Sequence, residues 1–197
     1  MSARYRRHQL LAKGGMGVVY LGAFEGEAGF ARAVAIKYLR QEFCENPLVV
    51  AMFEAEAKLS RHLVHPNIVQ VLDVGRDAEG IFLVMEYVEG WTLDQVRVRL
   101  AQTQAALPPH LVGWIASQVL RALAYAYHRQ VEGQPLLTAH RDVSPSNVLL
   151  SHEGEVKVVD FGVAKVTSSN LTEPGLFKGK PLYAAPEVLK GATASWA

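Results

Sequence analysis

The sequence predicts an α+β fold in two parts, a strand-rich segment over residues 1–88 and a helix-rich segment over 89–197. Three observations carry this. Short apolar, β-branched runs separated by glycine and polar turns crowd the first part. The strongest helical periodicity, "PPHLVGWIASQVLRALAYAYHRQ", stands in the second. Half of the 197 residues are apolar and a fifth are charged, the composition of a globular chain long enough to bury real cores.

Taken in order, "YRRHQLLAKGG" and "GVVYLGAFEG" flank a glycine cluster and read as a hairpin, and "RAVAIKYL" reads as a third strand. "PLVVAMFEAEAKLSRHL" predicts a helix of about four turns with Val49, Met52, Phe53, Ala57 and Leu63 on its apolar face. "NIVQVLDVG" and "GIFLVMEYV" follow as strands joined by the polar loop "RDAEG". The composition changes near Val88 to Gly90. "TLDQVRVRLAQ" is a short helix. The long proline-opened helix after it carries a stripe of Leu111, Ile115, Val119, Ala122 and Leu123. "GEVKVVDFGVAK" is a short strand running into a glycine, and no internal repeat interrupts the chain.

The formal net charge is +1, so electrostatics give no basis for a nucleic-acid or membrane partner. Cys44 is the sole cysteine. No internal disulfide is possible, a reducing compartment is expected, and the thiol reads as a small hydrophobe. The basic N-terminus lacks the apolar core of a secretion signal, and no apolar run approaches the roughly 18–20 residues of a membrane span. The expected location is cytoplasmic.

Four stretches carry polar groups suited to chemistry. The turn in "LAKGGMGVVYLG" would let backbone N–H groups approach phosphate oxygens, although a plain hairpin turn reads the same way. Lys37 ends the apolar strand "VAIK"; it is either a snorkelling surface residue or a phosphate ligand that needs an acidic partner. Glu56 and Glu54 compete for that role, and the order of residues in "FEAEAKL" favours Glu56. In "HRDVSPSN" and "VVDFG", Asp142, Asn147 and Asp160 offer hard oxygen ligands suited to Mg²⁺ shared with phosphates. Asp142 is also a candidate general base. Singly, each has a bland reading as a turn residue.

Jointly they do not. Glycine turn, strand lysine, helix glutamate, "HRD" with its following Asn, "DFG" and "APE" come in one order at compatible spacings. From about Tyr5 to Glu187 the chain resembles the eukaryotic-type (Hanks-type) serine/threonine protein kinases. "MEYVEG" and "HPNIVQVLDVG" are most similar to bacterial members. The resemblance implies a two-lobed fold: an antiparallel β N-lobe with one helix (1–88), which binds nucleotide, and a mainly helical C-lobe (89–197), incomplete after "APE". It also implies ATP and Mg²⁺ as cofactors and a protein Ser/Thr hydroxyl as acceptor.

Carried over residue by residue, Ala12, Gly14 and Gly17 occupy the glycine-loop positions that cover the phosphates, and Val19 and Ala35 pack on adenine. Lys37 contacts the α- and β-phosphates and pairs with Glu56. Met85 is the gatekeeper, the backbone of Glu86 and Val88 meets the adenine edge, and Leu149 lies under the purine. Asp142 is the base, and Asn147 and Asp160 hold Mg²⁺. Arg141 would read a phosphate on the activation segment, where Thr167, Ser168, Ser169 and Thr172 are candidates and Thr172 is preferred.

Three departures stand out. Ala12 replaces the first glycine. Ser144 holds the place of a lysine that steadies the transferring phosphate, while Lys180 holds the place of that lysine's threonine partner; either the two have exchanged roles, or Ser144 is a neutral loss and Lys180 a solvated activation-segment charge. The chain also stops ten residues after Glu187, where the family continues with further helices. This predicts a fragment or truncated product with an apolar underside. The alternative function is a pseudokinase-like nucleotide-binding scaffold without transfer activity. A small-molecule kinase of related fold is disfavoured by "APE", which shapes a peptide site in the protein kinases.

Overall fold

The computed structural model describes residues 4–137, 140, 142–161 and 181–189. The chain divides into two compact units, Met1–Arg61 with Gln70–Val88, and His62–Val69 with Glu89–Ala197.

The first unit is a five-stranded antiparallel sheet with one long helix and a short one before it. Its strands are β1 (Tyr5–Lys13), β2 (Gly17–Glu25), β3 (Ala31–Leu39), β4 (Val71–Asp77) and β5 (Gly80–Glu86), in the order β1-β2-β3-β5-β4. The β1–β2 turn closes with Gly14 N–H donating to Gly17 O at 2.8 Å. β2 and β3 pair without interruption from Gly17↔Leu39 to Glu25↔Ala31.

Because side chains alternate across a strand, this register sorts the sheet into two faces. Val34, Ile36, Tyr38, Phe82 and Val84 form a buried cluster on one, with Tyr5, Tyr20 and Phe24 packed on it. Ala35, Lys37, Leu83 and Met85 occupy the other. A short helix α1 (Gln41–Cys44) precedes α2 (Pro47–Ser60). Asn46 caps α2 by accepting from Leu48 and Val49 N–H, and Pro47 stands at the first helical position, where its missing N–H costs nothing.

The second unit contains β6 (Gly90–Thr92), α3 (Leu93–Gln102), α4 (Pro109–His128), a small hairpin of β7 (Gln130–Val131) and β8 (Gln134–Pro135), and the strands β9 (Val148–Ser151) and β10 (Val156–Val158). Thr92 and Gln95 cap α3 reciprocally. β6, β9 and β10 form a three-stranded sheet with β9 central. Ile115 of α4 packs with Val148 and Val156, and Ala122 and Ala126 are buried on the same helix. No helix among the described residues is long and apolar enough to cross a membrane.

Several sequence expectations need correction. Helix α2 stops at Ser60, so Leu63 is not on its face; it is fully buried in the second unit. β4 begins at Val71 rather than Asn67. Residues 62–69 therefore leave the first unit, and hydrogen bonding explains why. Val158 N–H donates to Asn67 O and Val69 N–H to Val158 O, while Asn67 Nδ2 donates to Val156 O at 2.9 Å. Leu111 is exposed, as are Val112, Trp114 and Leu120 of α4, and Ala126 takes the buried place that Leu111 was assigned. The β7–β8 hairpin was not anticipated. Its signal was the pair Glu132–Gly133, both at positive φ (53° and 77°), which supplies the twist of a two-residue turn.

Candidate active site

In the first unit, the register places the predicted nucleotide residues on one sheet face. Ala12 pairs with Val19, Val19 with Lys37, and Ala35 with Met85, each directly across a ladder. Lys37 is 9% exposed and Glu56 7%. Lys37 Nζ donates to Glu56 Oε1 at 3.1 Å. This excludes the snorkelling reading of Lys37.

The choice between Glu56 and Glu54 follows from helix rotation. Met52, Phe53, Glu56, Ala57 and Ser60 form the buried face of α2. Glu54 falls off that face and pairs with Arg76 at 3.4 Å on the surface.

Gly17 permits the lysine's path. A Cβ there would lie 3.0 Å from Tyr38 O and 3.3 Å from Lys37 Cγ and Cε. Gly14 and Ala12 are exposed, and a Cβ on Gly14 would meet only Gly17 O at 3.5 Å. Met85 is buried, and Glu86 and Val88 are half-buried. The Glu86 N–H is committed to Gln70 O at 2.9 Å.

In the second unit, a 3-10 turn (Pro145–Asn147) leads into β9, and the β9–β10 hairpin folds the chain back on itself. With Val148 opposite Val158, Val159 N–H donates to Asn147 O at 3.0 Å. Asn147 and Asp160, thirteen positions apart, are thereby brought to the same end of the hairpin. Asn147 Nδ2 donates to both the carbonyl and Oδ2 of Asp142, each at 2.9 Å. Its donor side is thus turned to Asp142, which leaves Oδ1 as the atom able to ligate a cation.

Asp160 has φ 56°, a left-handed conformation uncommon for a residue with a side chain. Leu149 is half-buried on β9. Ser144 is 4% exposed, and its Oγ lies 3.1 Å from Ser146 Oγ. Glu187 is exposed on a final helical turn, Pro186–Leu189. Lys180, Arg141, Thr167, Ser168, Ser169 and Thr172 lie outside the described residues.

His140 and Phe161 stand within the same motifs, beside the residues given roles. Their rings pack at 4.5 Å between centroids, tying the Asp142 loop to the residue after Asp160. His140 Nδ1 accepts from Asp142 N–H at 3.3 Å. Burial pushes the imidazole down to about 4, against the opposing charges of Asp142 and Asp160, so it is neutral at physiological pH. A lone histidine before a polar loop carries no sequence signal for this; only its burial reveals it.

The sequence pattern of the protein kinase domain matches residues 5–196. The chain belongs to the protein kinase family. Among relatives of this kinase domain, the tyrosine-protein kinase MasK of Myxococcus xanthus is 40% identical over 92% of the chain. The serine/threonine-protein kinase PrkC of Bacillus subtilis is 34% identical over 99%, and PknA of Mycobacterium tuberculosis 37% over 99%. The chain spans 28%, 28% and 43% of those three proteins. The solved kinase domain of M. tuberculosis PknI aligns with a TM-score of 0.67 at 29% identity, over 98% of this chain and 66% of that one. The fold is that of the protein kinases, with the sheet-rich unit as N-lobe and the helix-containing unit as C-lobe.

Proposed function

We propose that this kinase domain transfers the γ-phosphoryl group of ATP to a protein hydroxyl. The observation that carries the reading is the double tie of Asn147 to Asp142. It fixes one carboxylate oxygen and leaves the amide oxygen of Asn147 as its free ligating atom, at the hairpin end where Asp160 emerges. A scaffold without catalysis has no need of that arrangement.

Lys37, held by Glu56, serves the α- and β-phosphates. The turn at Gly14 and Gly17 covers them, with Ala12 in the first position, and Val19, Ala35, Met85 and Leu149 enclose the adenine. Glu86 meets the purine edge through its carbonyl, since its N–H is taken, and Val88 meets it through its backbone. Asp142 accepts the proton of the acceptor hydroxyl as that oxygen bonds to the γ-phosphorus. The bond from γ-phosphorus to the bridging oxygen breaks, and ADP leaves. The donor set of Asn147 Oδ1 and the Asp160 carboxylate suits Mg²⁺, which typically takes one or two carboxylates and shares phosphate oxygens. When bound, the ion supplies charge neutralisation on the phosphates. Arg141 reading a phosphate on Thr172, or on Thr167, Ser168 or Ser169, would order the segment.

The acceptor is read as serine or threonine, as PrkC and PknA are named. A second reading is tyrosine. It is favoured by the 40% identity to MasK and by the small, buried Ser144 where a lysine was expected.

Two measurements test these readings. Mg·ATP should raise the melting temperature of the wild-type chain, and Lys37→Met or Asp160→Asn should abolish most of the rise. An unchanged rise in both variants refutes the assigned residues. Radiolabelled transfer to peptides presenting only Ser, Thr or Tyr then identifies the acceptor. Binding without transfer to any of them would establish the scaffold alternative.

A further inference from the structure

The nucleotide hairpin is fastened at its base by side chains that no motif includes. β1 is an edge strand with β2 as its single ladder neighbour, and that ladder slips twice, between Arg7 and Leu10 and between Leu10 and Ala12. A single edge strand held by such an irregular ladder has little rigidity of its own, whereas β2 is fixed along its whole length by β3. The tip of the hairpin carries Gly14 and Gly17.

Tyr5 and Arg7, two apart, share one face of β1 and reach across the curled sheet to its opposite edge. Tyr5 OH donates to Asp73 of β4 at 2.8 Å. Arg7 pairs with Glu79 in the β4–β5 turn. The Arg7 guanidinium also lies over Tyr20 of β2, 4.6 Å from its centroid, and over Tyr38 of β3 at 5.6 Å. Tyr38 OH in turn donates to Asp77 at 2.9 Å. The Tyr5 ring packs on Phe24 and Phe82, at 5.6 and 6.4 Å. Every strand of the sheet contributes.

The fit beneath is close. A Cβ on Gly22, opposite Arg7, would stand 2.5 Å from Ile36 Cδ1 and 2.7 Å from Arg6 O. Burial and the bond to Asp73 raise the Tyr5 phenol to about 12, so it remains a donor throughout the working pH range.

We propose that Tyr5 and Arg7 are positioning residues for nucleotide binding: by tying the base of β1 to Asp73 and Glu79, they set the angle at which the Gly14–Gly17 turn is presented to the phosphates. The remaining four strands pair without them, so their loss frees β1 and its side of the turn rather than the fold. This assignment rests on the nucleotide reading of that turn. It predicts a specific signature. Ligand parts held by the turn should lose affinity, and parts held by the adenine face should not.

The test is calorimetric binding of Mg·ATP and of adenosine to the full chain, for wild type, Arg7→Ala, Arg7→Lys and Tyr5→Phe. Arg7→Ala should weaken Mg·ATP about tenfold while adenosine stays within about twofold. Arg7→Lys and Tyr5→Phe should show the same selectivity with losses of about threefold, since each retains part of the anchor. Tyr5→Phe removes one hydroxyl and keeps the ring packing, so it carries the test should Arg7→Ala not fold. Equal weakening of both ligands, or an unchanged ratio in every variant, overturns the positioning role while the nucleotide reading stands. A wild type that binds Mg·ATP no tighter than adenosine overturns the nucleotide reading itself, and this assignment with it.

Discussion

Replacing Glu56 by Gln keeps the side-chain volume and removes one charge from an ion pair whose members are 7% and 9% exposed. The Lys37 ammonium, 3.1 Å away, loses its carboxylate while remaining buried. Removing one partner of a buried pair costs more than the pair itself contributes, because the remaining charge loses compensation in a poorly polarisable environment. A glutamine can still accept a hydrogen bond, so the loss belongs at the low end of the measured range, about 3 kcal/mol. For a domain of this size that is a fall in melting temperature of about 6–12 °C. Glu54→Gln, two residues away, breaks a pair with Arg76 whose side chains are 39% and 62% exposed. Such a pair contributes at most about 1 kcal/mol, so the expected fall is below about 4 °C. Thermal melts of both variants without ligand make the comparison, and Mg·ATP should stabilise Glu54→Gln like wild type but Glu56→Gln much less. Equal shifts in the two variants, or a larger one for Glu54→Gln, would refute the assignment of Glu56 as the partner of Lys37.

Three further outcomes follow from particular contacts. His140 is held in the fold as a neutral imidazole, lowered from 6.5 to about 4, so the unfolded chain binds the extra proton between those values. Its contribution is complete above pH 6.5 and is lost as pH falls toward 4, about 3 kcal/mol in all; urea titrations across that window should show the slope in wild type and not in His140→Leu. Gly90→Ala would place a Cβ 2.0 Å from Leu150 O, forcing β6 off β9 at a cost of about 1–3 kcal/mol, whereas Gly113→Ala on the open face of α4 meets nothing within 4 Å and should stabilise by about 1 kcal/mol; melting curves distinguish them. If Lys180 supplies the charge that Ser144 lacks, Lys180→Ala should cut turnover about a hundredfold with ATP affinity kept, and Ser144→Lys with Lys180→Thr should recover much of it. Turnover within about threefold of wild type in Lys180→Ala would show that no exchange occurred.

The sequence by itself determined the fold class, the first hairpin and the family. Each of these rests on local chemistry: alternating apolar runs, proline-opened helices, and motif residues whose spacing is set by single turns. Lys37, Asp142, Asn147 and Asp160 could be singled out because each stands in a short motif of fixed spacing. What the sequence left open was every choice that depends on rotation or long-range pairing. Glu54 and Glu56 are chemically identical, and only the burial of Met52, Phe53 and Ala57 turns one of them toward Lys37. Residues 62–69 read as helix end and strand start, yet Asn67 and Val69 bond to β10, about ninety positions away along the chain, and join the other unit. His140 is a buried neutral ring, packed on Phe161, only in the folded chain. The anchor of Tyr5 and Arg7 on Asp73 and Glu79 spans 68 and 72 positions. No local pattern encodes such a contact, because it exists only once the sheet has curled far enough to bring its two edges together.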